Sequence, residues 1–100
     1  MPIALTAELS TLETLYTTLK TNVTNAYEIR TSTDRDLGNA VWQTPNAEAF
    51  RAAWEQFRPH LQKFEETLAA AATDVANNHN NNAVVNGVTE APNLAPVSPL

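Results

Sequence analysis

The chain has no cysteine, two glycines, and six cationic residues against eleven acidic ones. Each shortage excludes something. Without thiols there is neither a disulfide framework nor a Cys-based metal site. Two glycines are too few for the many turns of an all-β sandwich or barrel. A net charge of −5 leaves no cluster of cations to neutralise phosphates, so nucleic acid is not an expected partner. The longest unbroken apolar run is Leu68 to Ala72, far short of the ~20 residues that span a bilayer, and no membrane insertion is expected. Met1 to Glu8 holds neither the basic segment nor the apolar core of a secretory signal peptide. What is abundant is alanine, 16 of the 43 apolar residues. One hundred residues bound the chain to one domain.

Two segments carry a helical period. Leu5, Leu9, Leu12, Tyr16, Leu19, Val23, Ala26, Arg30, Thr33 and Leu37 alternate in spacings of four and three, a heptad seam of the kind that packs lengthwise on another helix. Leu15 and Ile29 flank it with Asn22 between them, which widens the apolar face toward that of a bundle helix. The seam weakens after Ala26, which predicts fraying, and Gly38 is positioned to stop the helix in a left-handed conformation. The second seam runs Ala47, Phe50, Trp54, Phe57, Leu61, Phe64, Leu68, Ala71, Val75. Thr44 can cap its start, Pro45 suits the first helical position, and Glu48 falls in the first turn.

Pro59 removes one backbone bond but lies off the seam, which resumes in register beyond it. The expectation is one bent helix rather than two. Asn77, Asn78, Asn80, Asn81 and Asn82 surround His79 and predict a frayed end to the second helix. Residues 87–100 hold Gly87, Pro92, Pro96 and Pro99 with no aromatic residue and read as a disordered tail. The expected architecture is all-α: an antiparallel helix-turn-helix hairpin over residues 1–86, with helices at about 4–37 and 45–80 and a loop at about 38–44. The apolar faces are too wide for two helices to cover, so the hairpin is expected to pair into a four-helix bundle dimer. The seam residues expected to carry it are Leu9, Leu12, Tyr16, Leu19, Val23, Phe50, Trp54, Phe57, Leu61, Phe64 and Leu68.

Catalytic chemistry has little to stand on. His60 and His79 are far apart in sequence, and the carboxylates near His60 lack the i+3 or i+4 spacing of a metal site. Glu65 and Glu66 sit beside the seam residue Phe64 and read as a solvated face rather than an acid/base pair. No nucleophile triad order, Gly-rich phosphate loop or metalloprotease motif occurs. No enzyme activity, cofactor or metal is expected. Asn22-Val23-Thr24 matches a glycosylation acceptor by chance, since it lies inside a helix.

The connecting segment places Trp42 at the tip of the hairpin, followed by Gln43, Thr44, Pro45, Asn46, Ala47, Glu48, Ala49 and Phe50. The indole can fold back to plug the bundle end, or serve as a recognition handle there; the two roles are compatible. Here the chain resembles the WXG family, the small type VII secretion substrates related to the early secretory antigenic target of mycobacteria. The resemblance covers about residues 3–82: the length, the hairpin, Trp42 in the central loop, the Ala- and Phe-containing start of the second helix, and Trp54 as the second tryptophan. Two features depart from the family. Thr44 stands where the family has glycine, and the Tyr-x-x-x-Asp/Glu export signal past the second helix is missing its tyrosine, with Asn86 and Glu90 keeping the spacing.

The resemblance implies a non-enzymatic hairpin that pairs with itself or with a paralogous WXG-type protein. It also implies secretion without a signal peptide through a type VII (ESX-like) system, with the loop motif Trp42, Gln43 and Thr44 at an end read by a secretion ATPase. The alternative is an intracellular helical adaptor or chaperone-like hairpin that binds another protein.

Overall fold

A computed structural model describes the backbone of residues 3–100 and the side chains of residues 7–100, so the first seam position, Leu5, lies outside the described side chains. Two helices, α1 (Ile3–Asn39) and α2 (Pro45–Val85), pack against each other as a hairpin. The molecule is a rod of 64 × 18 × 17 Å, its length matching the roughly 60 Å expected of a 41-residue helix at 1.5 Å per residue. Among the described residues there is no strand.

The start of α2 follows local chemistry. Thr44 is extended (φ −129°, ψ 163°), and its hydroxyl accepts the Ala47 N–H at 3.1 Å, with Pro45 in the first turn. The end of α2 does not lie where the asparagines predicted. The helix continues through all of them to Val85. Gly87, at φ +69°, is the stop: its N–H donates to Val84 O, and Val88 N–H donates to Ala83 O. That paired arrangement satisfies the last carbonyls. Gly38, expected to play this role for α1, remains inside the helix, which ends one residue later at Asn39. The loop is therefore residues 40–44 rather than 38–44. α2 also runs uninterrupted through the exposed Pro59.

The α1 seam packs as expected. Leu9, Tyr16, Val23 and Ala26 are buried, while Leu12, Leu19, Arg30, Thr33 and Leu37 are half-buried. Thr11, Thr14, Thr17 and Thr31 of α1 turn their hydroxyls onto carbonyls of the preceding turn, as Thr14 does to Ser10 O and Thr17 to Glu13 O.

The α2 seam differs. Ala47, Trp54 and Leu61 are buried, but the stripe then passes through Glu65, Ala69, Ala72, Ala76, His79 and Ala83. Phe50, Phe57 and Phe64 are exposed at 43%, 51% and 54%, and Leu68 is half-buried. The cause is the period. Ala47 and Ala83 are 36 residues apart, about ten turns at 3.6 residues per turn. A 3.5-residue seam drifts off a straight helix by about 20° per heptad and so arrives one residue early. The alanines of the stripe allow close approach to the larger side chains of α1. Tyr16, Ala72 and Ala76 form one core cluster, and Ala26, Trp54 and Leu61 another.

Residues 87–100, expected to be disordered, lie against the hairpin. Leu94 and Val97 pack on the Tyr16 cluster, and the Tyr16 hydroxyl donates to Ala95 O at 2.8 Å. The tail lacks a helical period because it is not a helix; two apolar anchors and side-chain hydrogen bonds hold it instead.

Candidate interaction surface

At the loop end of α1, the half expected to fray, three polar inter-helix contacts join the apolar cluster of Ala26, Trp54, Leu61 and Leu37. Trp54 Nε1 donates to Asp34 Oδ1 at 2.6 Å. Arg58 Nε lies 2.8 Å and 3.0 Å from the two Asp34 oxygens. Arg30 Nε donates to Glu65 Oε2 at 2.9 Å. Glu65 is not on a solvated face, as its pairing with Glu66 suggested: only 1% of it is exposed. Its hydrogen bond holds the Arg30 guanidinium above its ordinary pKa, so that charge is fixed at every accessible pH. The second Glu65 oxygen, Oε1, is buried without a partner.

His79, expected in a frayed end, is fully buried, with Nε2 2.9 Å from Glu13 Oε2 and Nδ1 3.1 Å from Asn80 Oδ1. The signal for these groups was positional. Arg58, Glu65, Ala72 and His79 are spaced by sevens, a polar-containing stripe one residue beyond the phenylalanines.

Trp42 lies in the loop with 39% of its surface exposed, its ring 6.2 Å from that of Phe50. Arg51 Nη1 donates to its carbonyl oxygen at 2.8 Å. Gln43 is exposed and Thr44 caps α2. The indole thus leans on Phe50 and leaves much of its surface to water. Trp54, by contrast, is inside, with 8% exposed.

Phe50, Phe57 and Phe64, spaced by sevens, share one flank of α2 beside the buried line, Phe64 directly preceding Glu65. Two open grooves lie along this flank. One, of about 530 Å³, is lined by Thr33, Phe50, Ala53, Trp54 and Phe57. The other is lined by Asn22, Asn25, Ala26, Ile29, Leu61 and Phe64. Ile29 is 54% exposed. Together with Trp42 these side chains make a long, uncharged, largely aromatic face that the single hairpin leaves uncovered.

Among the described residues no group of three His, Asp or Glu side chains gathers as a metal site, and no helix is long and apolar enough to cross a membrane. No family model, no curated protein and no solved structure matches the chain.

Proposed function

We propose that the chain is a non-enzymatic pairing hairpin of the WXG type that works within a type VII secretion system, as an exported substrate or as the partner of one. The observation that carries this is the aromatic flank: three phenylalanines at seven-residue spacing, each about half exposed, beside Ile29 of α1. Such a face is covered by a second hairpin lying lengthwise, giving a four-helix bundle with itself or with a paralogue. A half-exposed Trp42 at the tip of the loop supports recognition of the composite end by a secretion ATPase.

One observation favours the second reading, an intracellular adaptor or chaperone-like hairpin that uses the same face. The position four residues before Glu90 is Asn86, which caps α2 in place of a tyrosine. The test compares culture filtrate with lysate in cells with and without an intact type VII system, for wild type and Trp42→Ala. Export that needs both the system and Trp42 supports the first reading. Retention in the lysate whatever the system's state rejects it in favour of the adaptor.

A further inference from the structure

The opposite flank of α2 carries a second, differently built surface. Thr73 and Asn80 each follow a buried stripe residue, Ala72 and His79, by one. They therefore lie across the stripe from the phenylalanines. Asn80 Nδ2 donates to Leu94 O at 2.8 Å while its Oδ1 accepts Leu94 N–H at 2.9 Å. Thr73 Oγ1 does the same for Val97, donating to its carbonyl at 3.1 Å and accepting its N–H at 3.0 Å. Tyr16 of α1 donates to Ala95 O between them.

All five bonds end on the backbone of the tail. Both backbone groups of each anchor residue are satisfied, and the Leu94 and Val97 side chains pack on the core. Thr73 and Asn80 are seven residues apart, about 10.5 Å along a helix. The three steps from Leu94 to Val97 reach at most about 11 Å, so the bound segment is nearly fully extended. Pro96 suits this, because it needs no N–H partner and holds Ala95 in the extended region. Hydrogen bonds to the backbone, with apolar side chains seated beside them, are how extended peptides are read.

From this geometry we infer that the Thr73–Asn80 flank is a docking site for an extended, uncharged segment of a partner protein. The segment has apolar residues at its first and fourth positions and proline at the third. The chain's own Leu94–Val97 is a resident competitor for the site. The site does not depend on pairing through the aromatic flank.

The probe is a fluorescein-labelled peptide with the sequence of residues 91–100, followed by anisotropy on the full-length chain. Leu94→Asp with Val97→Asp in the chain empties the site. This variant is expected to bind the peptide at least tenfold more tightly than wild type, whose tethered tail competes at high effective concentration. Adding Thr73→Val and Asn80→Leu is expected to weaken binding at least tenfold, and Phe57→Glu to leave it unchanged. A folded, emptied variant that ignores the peptide, or binds it equally well without the two clamps, overturns the inference. If emptying the site unfolds the chain, wild type labelled at Leu100 decides: excess unlabelled peptide must free the tail and lower the label's anisotropy, and an unmoved signal overturns the inference. A wild-type dimer that persists with Phe57→Glu but is lost with Asn80→Leu overturns the foreign partner in favour of tail exchange between copies.

Discussion

Replacing Glu65 by alanine is expected to be among the most damaging single changes in the chain. Glu65 is 1% exposed, and the Arg30 side chain it holds is 14% exposed. Removing the carboxylate leaves the half-buried Arg30 guanidinium without its hydrogen-bonded partner and with only the field of Asp34 to offset its charge, a loss of about 3 kcal/mol, the low end for a broken buried pair. Domains of this size have a total stability of about 5–15 kcal/mol. At about 4–8 °C per kcal/mol, the melting temperature should fall by more than about 12 °C.

The pair itself is a poor investment of buried space, because Glu65 Oε1 has no hydrogen-bond partner, and an unsatisfied buried acceptor costs about 1–3 kcal/mol. Replacing both residues by apolar ones, Arg30→Met with Glu65→Leu, should therefore restore the wild-type melting temperature or raise it. Thermal and urea melts followed by circular dichroism at 222 nm, on the two single variants and the double, form the cycle. A double variant as unstable as Glu65→Ala would refute the reasoning, as would a single variant within 1 kcal/mol of wild type.

Trp54→Phe should lose about 1.5 kcal/mol, the low end for a bond to a charged group, because Asp34 is about one-third exposed; Trp42→Ala should lose under about 1 kcal/mol. The reverse order in urea melts would mean that loop and core have been exchanged. Thr44→Ala should lose about 1 kcal/mol of capping energy. Gly87→Ala should lose about 1–2 kcal/mol from its left-handed conformation alone, since nothing lies within 4 Å of the added Cβ; equal stability in either case removes that cap from the description. Deleting residues 89–100 should lower stability by about 1–3 kcal/mol, the hydrogen bonds and two apolar anchors being partly offset by the entropy of ordering the tail. An unchanged melting temperature would show that the tail does not hold.

The hairpin was legible because two of its signals are local. Leu9, Tyr16 and Val23 mark α1 by spacing, and Thr44-Pro45 marks the start of α2 by cap chemistry. What escaped was set by tertiary geometry. Phe50, Phe57 and Phe64 keep a period of seven as faithfully as Trp54 and Leu61 do, and only the 3.6-residue repeat of a straight helix decides which column faces α1. By hydrophobicity alone the phenylalanine column is the stronger core candidate, although the stripe that allows close approach is the one built largely from alanine. Glu65 and His79 looked like surface residues because their partners, Arg30 and Glu13, lie 35 and 66 positions away. The asparagine run looked like a terminator because poor helix propensity is visible in sequence, whereas the Asn80 clamp on Leu94 is not. Gly87 carries a stop signal of its own, because glycine takes the left-handed conformation at a helix end without a Cβ penalty.

Sedimentation equilibrium at micromolar concentration, on wild type and on Phe57→Glu, bears most directly on the aromatic flank as the pairing surface. Phe57 is half exposed in the single hairpin, so a charge there should leave the fold and its helical circular dichroism intact while blocking a second copy. The result expected is a wild-type mass twice the 10.9 kDa of the chain, falling to the single-chain mass in the variant, or a single-chain wild type that forms a 1:1 complex with a paralogous hairpin in a Phe57-dependent way. A stable wild-type dimer whose mass is unchanged by Phe57→Glu would contradict it, as would a monomer that no second hairpin joins.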